Sequence, residues 1–337
     1  MPETIRAGVV GLGMMGRHHC RVLRALPGVE LVAVADANGD PSGAAGGLPV
    51  LADVQALVAA GLDAAVVAVP TDQHEDVATV LAEAGVHVLV EKPLAADLAS
   101  ARRLTTAFDD RGLVGCVGHI ERFNPAIQQL RSRLAAGELG QVYHVAARRQ
   151  GPFPARISDV GVVKDLATHD IDTIAYVTGQ AFTEVSARLA HKSGREHEDL
   201  VSAVGSLADG TPVSLTVNWL SPFKERTVVV VGERGAFVAS TLTSDLEFFA
   251  NGTAATEPDS PVAHFRGVSE GNVVRYAFDK PEPLRTELEG FRDAIHGDRS
   301  RIVSMAEGCV IVAVADAMLA SATTRTPAAG VIGIETL

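Results

Sequence analysis

Three stretches of the chain carry side chains whose types and spacing suit chemistry. Lys92 stands between Glu91 and Pro93, just after an apolar run, so an ammonium is held on a stiff turn. Asp165 and His169 are four residues apart and share one face if their segment is helical. Gly11, Gly13 and Gly16 form G-x-G-x-x-G directly after the apolar run Ile5–Val10. Oxidising a secondary alcohol needs a base for the hydroxyl proton, a cation for the developing alkoxide and a group that orients both. An imidazole, a lysine and a carboxylate meet those needs. The glycine pattern suits a dinucleotide as hydride acceptor. Gly11 permits the tight turn, Gly13 lets the backbone approach a pyrophosphate, and Gly16 lets helix and strand pack closely. The phosphates would then meet free N–H groups at a helix N-terminus.

Asp36 lies 20 residues after Gly16, where an acid grips the adenosine ribose hydroxyls. Ala37 and Asn38 come next, with no Arg or Lys to receive a 2′-phosphate, so NAD is expected rather than NADP.

The surrounding pattern supplies elements to hold these groups. Ile5–Val10 is a strand, Met14–Leu26 a helix and Val29–Asp36 a second strand. A helix over Leu51–Ala60, a strand over Ala64–Val69 and a helix over Asp72–Gly85 continue the pattern. Next come a strand at Val86–Val90, a helix at Asp97–Gly112 and a strand at Leu113–Gly118. This alternation predicts an α/β Rossmann domain over residues 1–120, a parallel sheet with helices on both faces. Past His119 the alternation stops. Helices are expected at Asn124–Ala136, Val162–Thr178, Leu284–His296 and Ser304–Ala322. Extended runs are expected at 140–149, 183–192, 200–207, 213–219, 227–231 and 236–241, with a hairpin turn at Gly232–Gly235. Residues 121–337 therefore read as an α+β domain with a large, mostly antiparallel open sheet. Asn124 before Pro125 is a good helix cap.

On the helix at 162–178, a step of about 100° per residue puts Asp165, His169, Asp172 and Tyr176 on one face. Leu166, Ala167, Ile171, Ile174 and Val177 fall on the other. Asp170 projects toward the apolar side and needs a partner, an arginine being the natural one.

Residues 64–93, the pair Asp165–His169 and the helix start PLRTELEGF at Pro283–Phe291 together resemble the Gfo/Idh/MocA oxidoreductase family. Its E-K-P motif follows the fifth strand of a Rossmann domain. VGHIERFNPA at Val117–Ala126 and RRQGPFPARISDVGVVKDLATHDID at Arg148–Asp172 resemble a narrower branch, which oxidises C3 of a hexose in sugar nucleotides or aminoglycosides. The resemblance implies Lys92, Asp165 and His169 as catalytic residues, with His169 or Lys92 as the base. It implies cofactor contacts from Gly11, Gly13, Met14, Met15, Gly16, Asp36 and Ala37, and from Pro70, Thr71, His74, Glu91, Lys92 and Arg122. It implies substrate contacts from Lys92, Asp165 and His169. To these the residue types add Arg149 and Arg156, whose guanidinium groups suit a diphosphate, and Phe153 and Trp219, the latter able to stack or to fill core. The implied reaction makes a 3-keto sugar from a UDP-glucose or UDP-N-acetylglucosamine type of substrate, ahead of a pyridoxal-phosphate aminotransferase. The alternatives are a 3″-dehydrogenase acting on an aminoglycoside, and a non-catalytic NAD-binding regulator. The family also implies a homodimer or homotetramer through the second-domain sheet, and C-terminal helices packed back on the first domain.

Composition narrows the field further. The net charge of −12 argues against nucleic acid or an anionic membrane as partner. No apolar run is expected to approach the ~18 residues of a membrane helix, and Ile5–Gly13 is too short for a leader. Cys20, Cys116 and Cys309 are far apart and odd in number, which reads as three reduced, buried thiols in a cytoplasmic protein. No metal is expected, since His18 and His19 point about 100° apart on a helix.

Overall fold

A computed structural model describes residues 4–153, 160–252 and 270–330. Arg156 lies outside the described residues.

The first domain is a six-stranded parallel sheet in the order β3-β2-β1-β4-β5-β6. Its strands are β1 (Ile5–Val10), β2 (Val29–Ala35), β3 (Val50–Leu51), β4 (Ala64–Val67), β5 (His87–Glu91) and β6 (Gly115–Gly118). The order reverses between β1 and β4, and ligands of such sheets bind at that crevice beyond the strand C-termini. Helices α1 (Met14–Arg24), α2 (Val54–Ala59), α3 (His74–Glu83) and α4 (Leu98–Asp109) cover its two faces. Leu51, expected to start a helix, pairs with Ala35 in the edge strand β3. Helix α2 starts later because the Asp53 carboxylate accepts from the Ala56 N–H at 2.8 Å and caps it.

The second domain is a nine-stranded sheet, β14-β13-β12-β11-β7-β10-β9-β8-β15. Its central strands are β7 (Val142–Pro152), β8 (Phe182–Ala190), β9 (Leu200–Leu207), β10 (Pro212–Asn218), β11 (Leu220–Gly232) and β12 (Gly235–Ser240). Only β7 and β10 run parallel; the other pairs are antiparallel. The hairpin at Gly232–Gly235 joins β11 to β12. The sequence pattern missed β13 (Asp245–Asn251), β14 (Glu270–Arg275) and the two-residue β15 (Ala328–Ala329). These lie at the sheet's two ends, where burial on one face is incomplete and alternation is weak.

One face of this sheet packs on α5 (Pro125–Ala135), α6 (Thr168–Thr178) and α8 (Met305–Thr324), with Ile127, Ile171, Ile174, Val314 and Met318 fully or almost fully buried. Asn124 caps α5 as expected, accepting from Ala126 N at 3.0 Å. Helix α7 (Pro283–Ile295) returns to the first domain, where Leu284, Leu288 and Phe291 join the cluster around Val22 and Leu23 of α1.

Helix α8 corrects one expectation. By length and composition it is apolar enough to cross a bilayer. Its side chains are instead divided between two cores: Ile311, Val314 and Met318 in the second domain, Met305, Cys309 and Val312 in the first. A helix wedged between two domains is apolar all round for that reason. Its two acids are paired, Glu307 with Arg122 and Asp316 with Lys164. Cys20, Cys116 and Cys309 are all free and buried.

Candidate active site

The site forms where the C-terminal edge of the parallel sheet meets the start of α6. β5 ends on Glu91, whose carboxylate meets His19 Nε2 of α1 at 2.7 Å in a buried pair. The next residue, Lys92, is joined to Pro93 by a cis peptide bond. The Pro93 carbonyl lies 2.9 Å from His74 Nδ1, and His74 Nε2 lies 3.1 Å from the Val69 carbonyl. Burial holds the His74 imidazole below its ordinary pKa, partly offset by those carbonyls. His74 and Glu91, expected as cofactor contacts, are 1% and 7% exposed and brace the turn that presents Lys92.

Lys92 Nζ donates to the Asp165 carboxylate at 2.8 Å and to the Asp165 backbone carbonyl at 2.7 Å. Asp165 belongs to a single wide turn of π-helix, Val163–Ala167, that leads into α6. Such one-turn widenings of a helix often occur at functional sites. Its start is anchored by Glu198, which accepts from Val163 N at 2.9 Å. His169 lies in the first turn of α6, half-buried. Burial, then the charges of Lys92, Arg149, His119 and Arg226, push its pKa well below the ordinary imidazole value. It is therefore neutral at physiological pH. Its Nδ1 is buried without a hydrogen-bond partner among the described residues, whereas Nε2 is not among the enclosed, unpartnered atoms.

The expected four-residue stripe divides. Asp172 is bound by Arg122, whose Nε donates to it at 2.8 Å and whose Nη1 reaches Glu307 of α8. Tyr176 accepts from Gln128 Nε2 at 2.8 Å and lies under Arg131. Only Asp165 and His169 remain with Lys92. Asp170 has the arginine it needed: Arg149 Nε donates to it at 2.9 Å, while Arg149 Nη1 donates to Glu121 at 2.8 Å. Arg122 and Arg149, expected on cofactor and substrate, are buried and tied to carboxylates that join elements of the fold. Trp219 is 3% exposed and fills core, with the Phe153 ring edge-on at 5.4 Å. Phe153 itself is exposed at the end of β7.

The glycine loop fits a dinucleotide. Gly11 has φ +90°, and a Cβ on Gly16 would sit 1.8 Å from the Gly11 carbonyl oxygen, so neither tolerates a side chain. A Cβ on Gly13 would meet nothing within 4 Å, so space is open above the loop. Gly13 begins α1 with no side-chain cap, and the first N–H groups of that helix are left for a ligand's phosphates. Asp36 accepts from Leu12 N at 2.7 Å and Asn38 N at 2.8 Å, which fixes its half-buried carboxylate beside the loop. Met14, Met15, Ala37, Pro70 and Thr71 all line this edge with at least partial exposure.

Sequence reasoning missed two groups at the site. His119, just after β6, is buried with neither ring nitrogen hydrogen-bonded among the described residues, and its Nδ1 lies 3.9 Å from Asp172. It lies inside the stretch Val117–Ala126, which carried the only signal for it. Arg226, on β11, faces Arg149 across the strand pair. Nothing in the linear pattern marks it, because the pairing register is not visible there.

Residues 5–119 match the model of the Gfo/Idh/MocA oxidoreductase family with its NAD-binding Rossmann fold, and residues 127–238 match that of the Gfo/Idh/MocA C-terminal domain. The chain is 30% identical to the UDP-N-acetylglucosamine 3-dehydrogenase of Acidithiobacillus ferrooxidans over 298 residues, 88% of this chain and 90% of that protein. A solved structure of that enzyme superposes with a TM-score of 0.82, covering 95% of this chain and 98% of the other. The myo-inositol dehydrogenase Hyg17 of Streptomyces leeuwenhoekii is 35% identical over 243 residues, 67% of this chain and 74% of that one. With these matches, a glycine cradle, a Lys92–Asp165 pair and a neutral His169, the chain belongs to the Gfo/Idh/MocA family and is an NAD-dependent CH–OH dehydrogenase.

Proposed function

We propose that the protein oxidises the C3 hydroxyl of a hexosyl group in a UDP-linked sugar to the 3-ketone. The observation that carries this is the Lys92–Asp165 ion pair bridging the two domains, with the neutral His169 imidazole in the next turn. The likeness to a UDP-N-acetylglucosamine 3-dehydrogenase over 88% of the chain supports the choice of substrate. NAD supplies the hydride acceptor; Gly11, Gly13, Gly16 and Asp36 would hold it.

His169 Nε2 takes the hydroxyl proton as general base, since a neutral imidazole has the lone pair the step needs. Lys92, kept in place by Asp165, donates to the oxygen as negative charge develops on it. Asp165 orients the ammonium and balances its charge in a half-buried site. The product, a 3-keto sugar, suits a downstream aminotransferase that makes a 3-amino sugar. The large sheet exposes Val204, Phe223, Val273 and Tyr143, apolar surface suited to pairing copies of the chain as a homodimer or homotetramer.

The test is incubation with NAD and UDP-N-acetylglucosamine, UDP-glucose, myo-inositol or a 3″-hydroxy aminoglycoside. Mass spectrometry reads the loss of two hydrogens, with an aminotransferase added to trap the ketone. Trapped product from a UDP-sugar is the expected result. Turnover of myo-inositol alone would replace the sugar-nucleotide substrate with a neutral cyclic polyol, the choice favoured by the likeness to Hyg17.

A further inference from the structure

Two arginines stand side by side on the face of the large sheet that meets α6. Arg149 of β7 and Arg226 of β11 are directly opposed in the antiparallel register, so their side chains share that face. Their circumstances differ. Arg149 is 3% exposed and bound to two carboxylates, Asp170 at 2.9 Å and Glu121 at 2.8 Å. The side chain of Arg226 is 40% exposed. Its nearest carboxylate oxygen, Glu121 Oε1, is 3.8 Å away and already accepts from Arg149. Among the described residues the Arg226 guanidinium donates no hydrogen bond.

The position of Arg226 is as telling as its want of a hydrogen bond among the described residues. Its charge is among those that bear on His169, and Asp165 and Asp170 bear on it in turn. Through Arg149, which it opposes and which binds Asp170 next to His169, it stands on the side of the sheet that carries the Lys92–Asp165–His169 group. Glu121 and Asp170 offset part of the repulsion between the two arginines, while burial and the Arg149 charge hold the Arg226 pKa below its ordinary value. A planar fork of five donors, half-exposed and fixed at its base, is suited to bidentate contact with a phosphate. It offers nothing to a neutral polyol that a smaller polar residue could not.

We propose that Arg226 anchors an anionic group of the substrate, the phosphate nearest the sugar, and so sets the distance from that phosphate to the hydroxyl presented to His169. This rests on the sugar-nucleotide substrate proposed above. The anion could equally be a sugar carboxylate, and the test separates the two sources.

Binding of UDP and of glucuronate to the NAD-loaded protein is measured by calorimetry, which needs no turnover. Arg226→Gln should weaken UDP binding by roughly ten- to a hundredfold, the value of hydrogen bonds to a charged group. Arg226→Lys, which keeps charge but loses the fork, should fall between. With UDP-N-acetylglucosamine as substrate, the loss should appear in KM more than in kcat. NAD titration and thermal melting report whether Arg226→Gln folds; if it does not, the Lys variant decides. UDP binding unchanged in the folded variants would overturn the proposal. Weakened glucuronate binding with unchanged UDP binding would overturn the phosphate assignment. If UDP binding depends on Arg226 but no UDP-sugar is oxidised, the anchor stands and the proposed reaction fails.

Discussion

Helix α6 and the wide turn before it carry three acids within eight residues, and they serve opposite purposes. Asp165 meets a lysine from the other domain, and both side chains keep a little solvent exposure, 11% and 14%. Asp170 and Asp172 meet arginines and are 1% exposed each. The first pair can exchange partners with a ligand, because its charges lie at a cleft. The other two cannot, because removing either partner strands a charge in the core. Pairing alone therefore does not separate chemistry from architecture on this helix; pairing together with access does.

The comparison breaks most sharply at the cleft. Lys92→Ala and His169→Ala should each lower kcat by at least about 10²-fold, the usual contribution of an oxyanion donor or a general base. Both should leave the melting temperature near that of the parent, as read by calorimetry. A large loss of stability in either would place it with the architectural group.

The converse test is Arg149→Leu, which leaves Asp170 and Glu121 buried without their cation. It should cost about 3–5 kcal/mol of stability, measured by urea unfolding. Burial already raises the Asp170 pKa, with Arg149 opposing that rise. The variant should therefore gain stability as pH falls and Asp170 takes up a proton.

A smaller effect sharpens the boundary between the groups. Glu287 of α7 is buried with both oxygens unpartnered among the described residues, and burial, then the Glu91 and Asp172 charges, hold its pKa well above the ordinary carboxyl value. The folded protein thus keeps a proton that the unfolded chain releases near pH 4.5. Stability from this group is complete below that pH and declines as pH rises toward the elevated folded value. Glu287→Gln should remove this decline and raise the melting temperature at pH 8 by roughly 1–2 °C, equivalent to about 1 kcal/mol. An equal change at pH 5 and pH 8 would show that the carboxyl is not held neutral.

Much of the first domain was legible because its signals are local. Strand and helix alternate over short windows, and G-x-G-x-x-G works through backbone φ and close approach within six residues. The wide turn at Val163–Ala167 was not legible; a 100° step assumes a regular α-helix, and one wider turn rotates Asp165 relative to the residues of α6. The outer strands β13 and β14 were also missed, since half-exposed strands near the end of a sheet alternate weakly.

The sequence by itself determined the fold class and the dinucleotide loop, and it put Lys92, Asp165 and His169 forward as candidates through their motifs and the resemblance those motifs carry. Tertiary structure decided which acid met which cation. Lys92 and Asp165 are 73 residues apart, Arg122 and Glu307 are 185 apart, and Arg226 finds Arg149 only through strand register. Coulomb attraction has no sequence address. Burial and distance select the partner, and both exist only once the sheets and helices have packed.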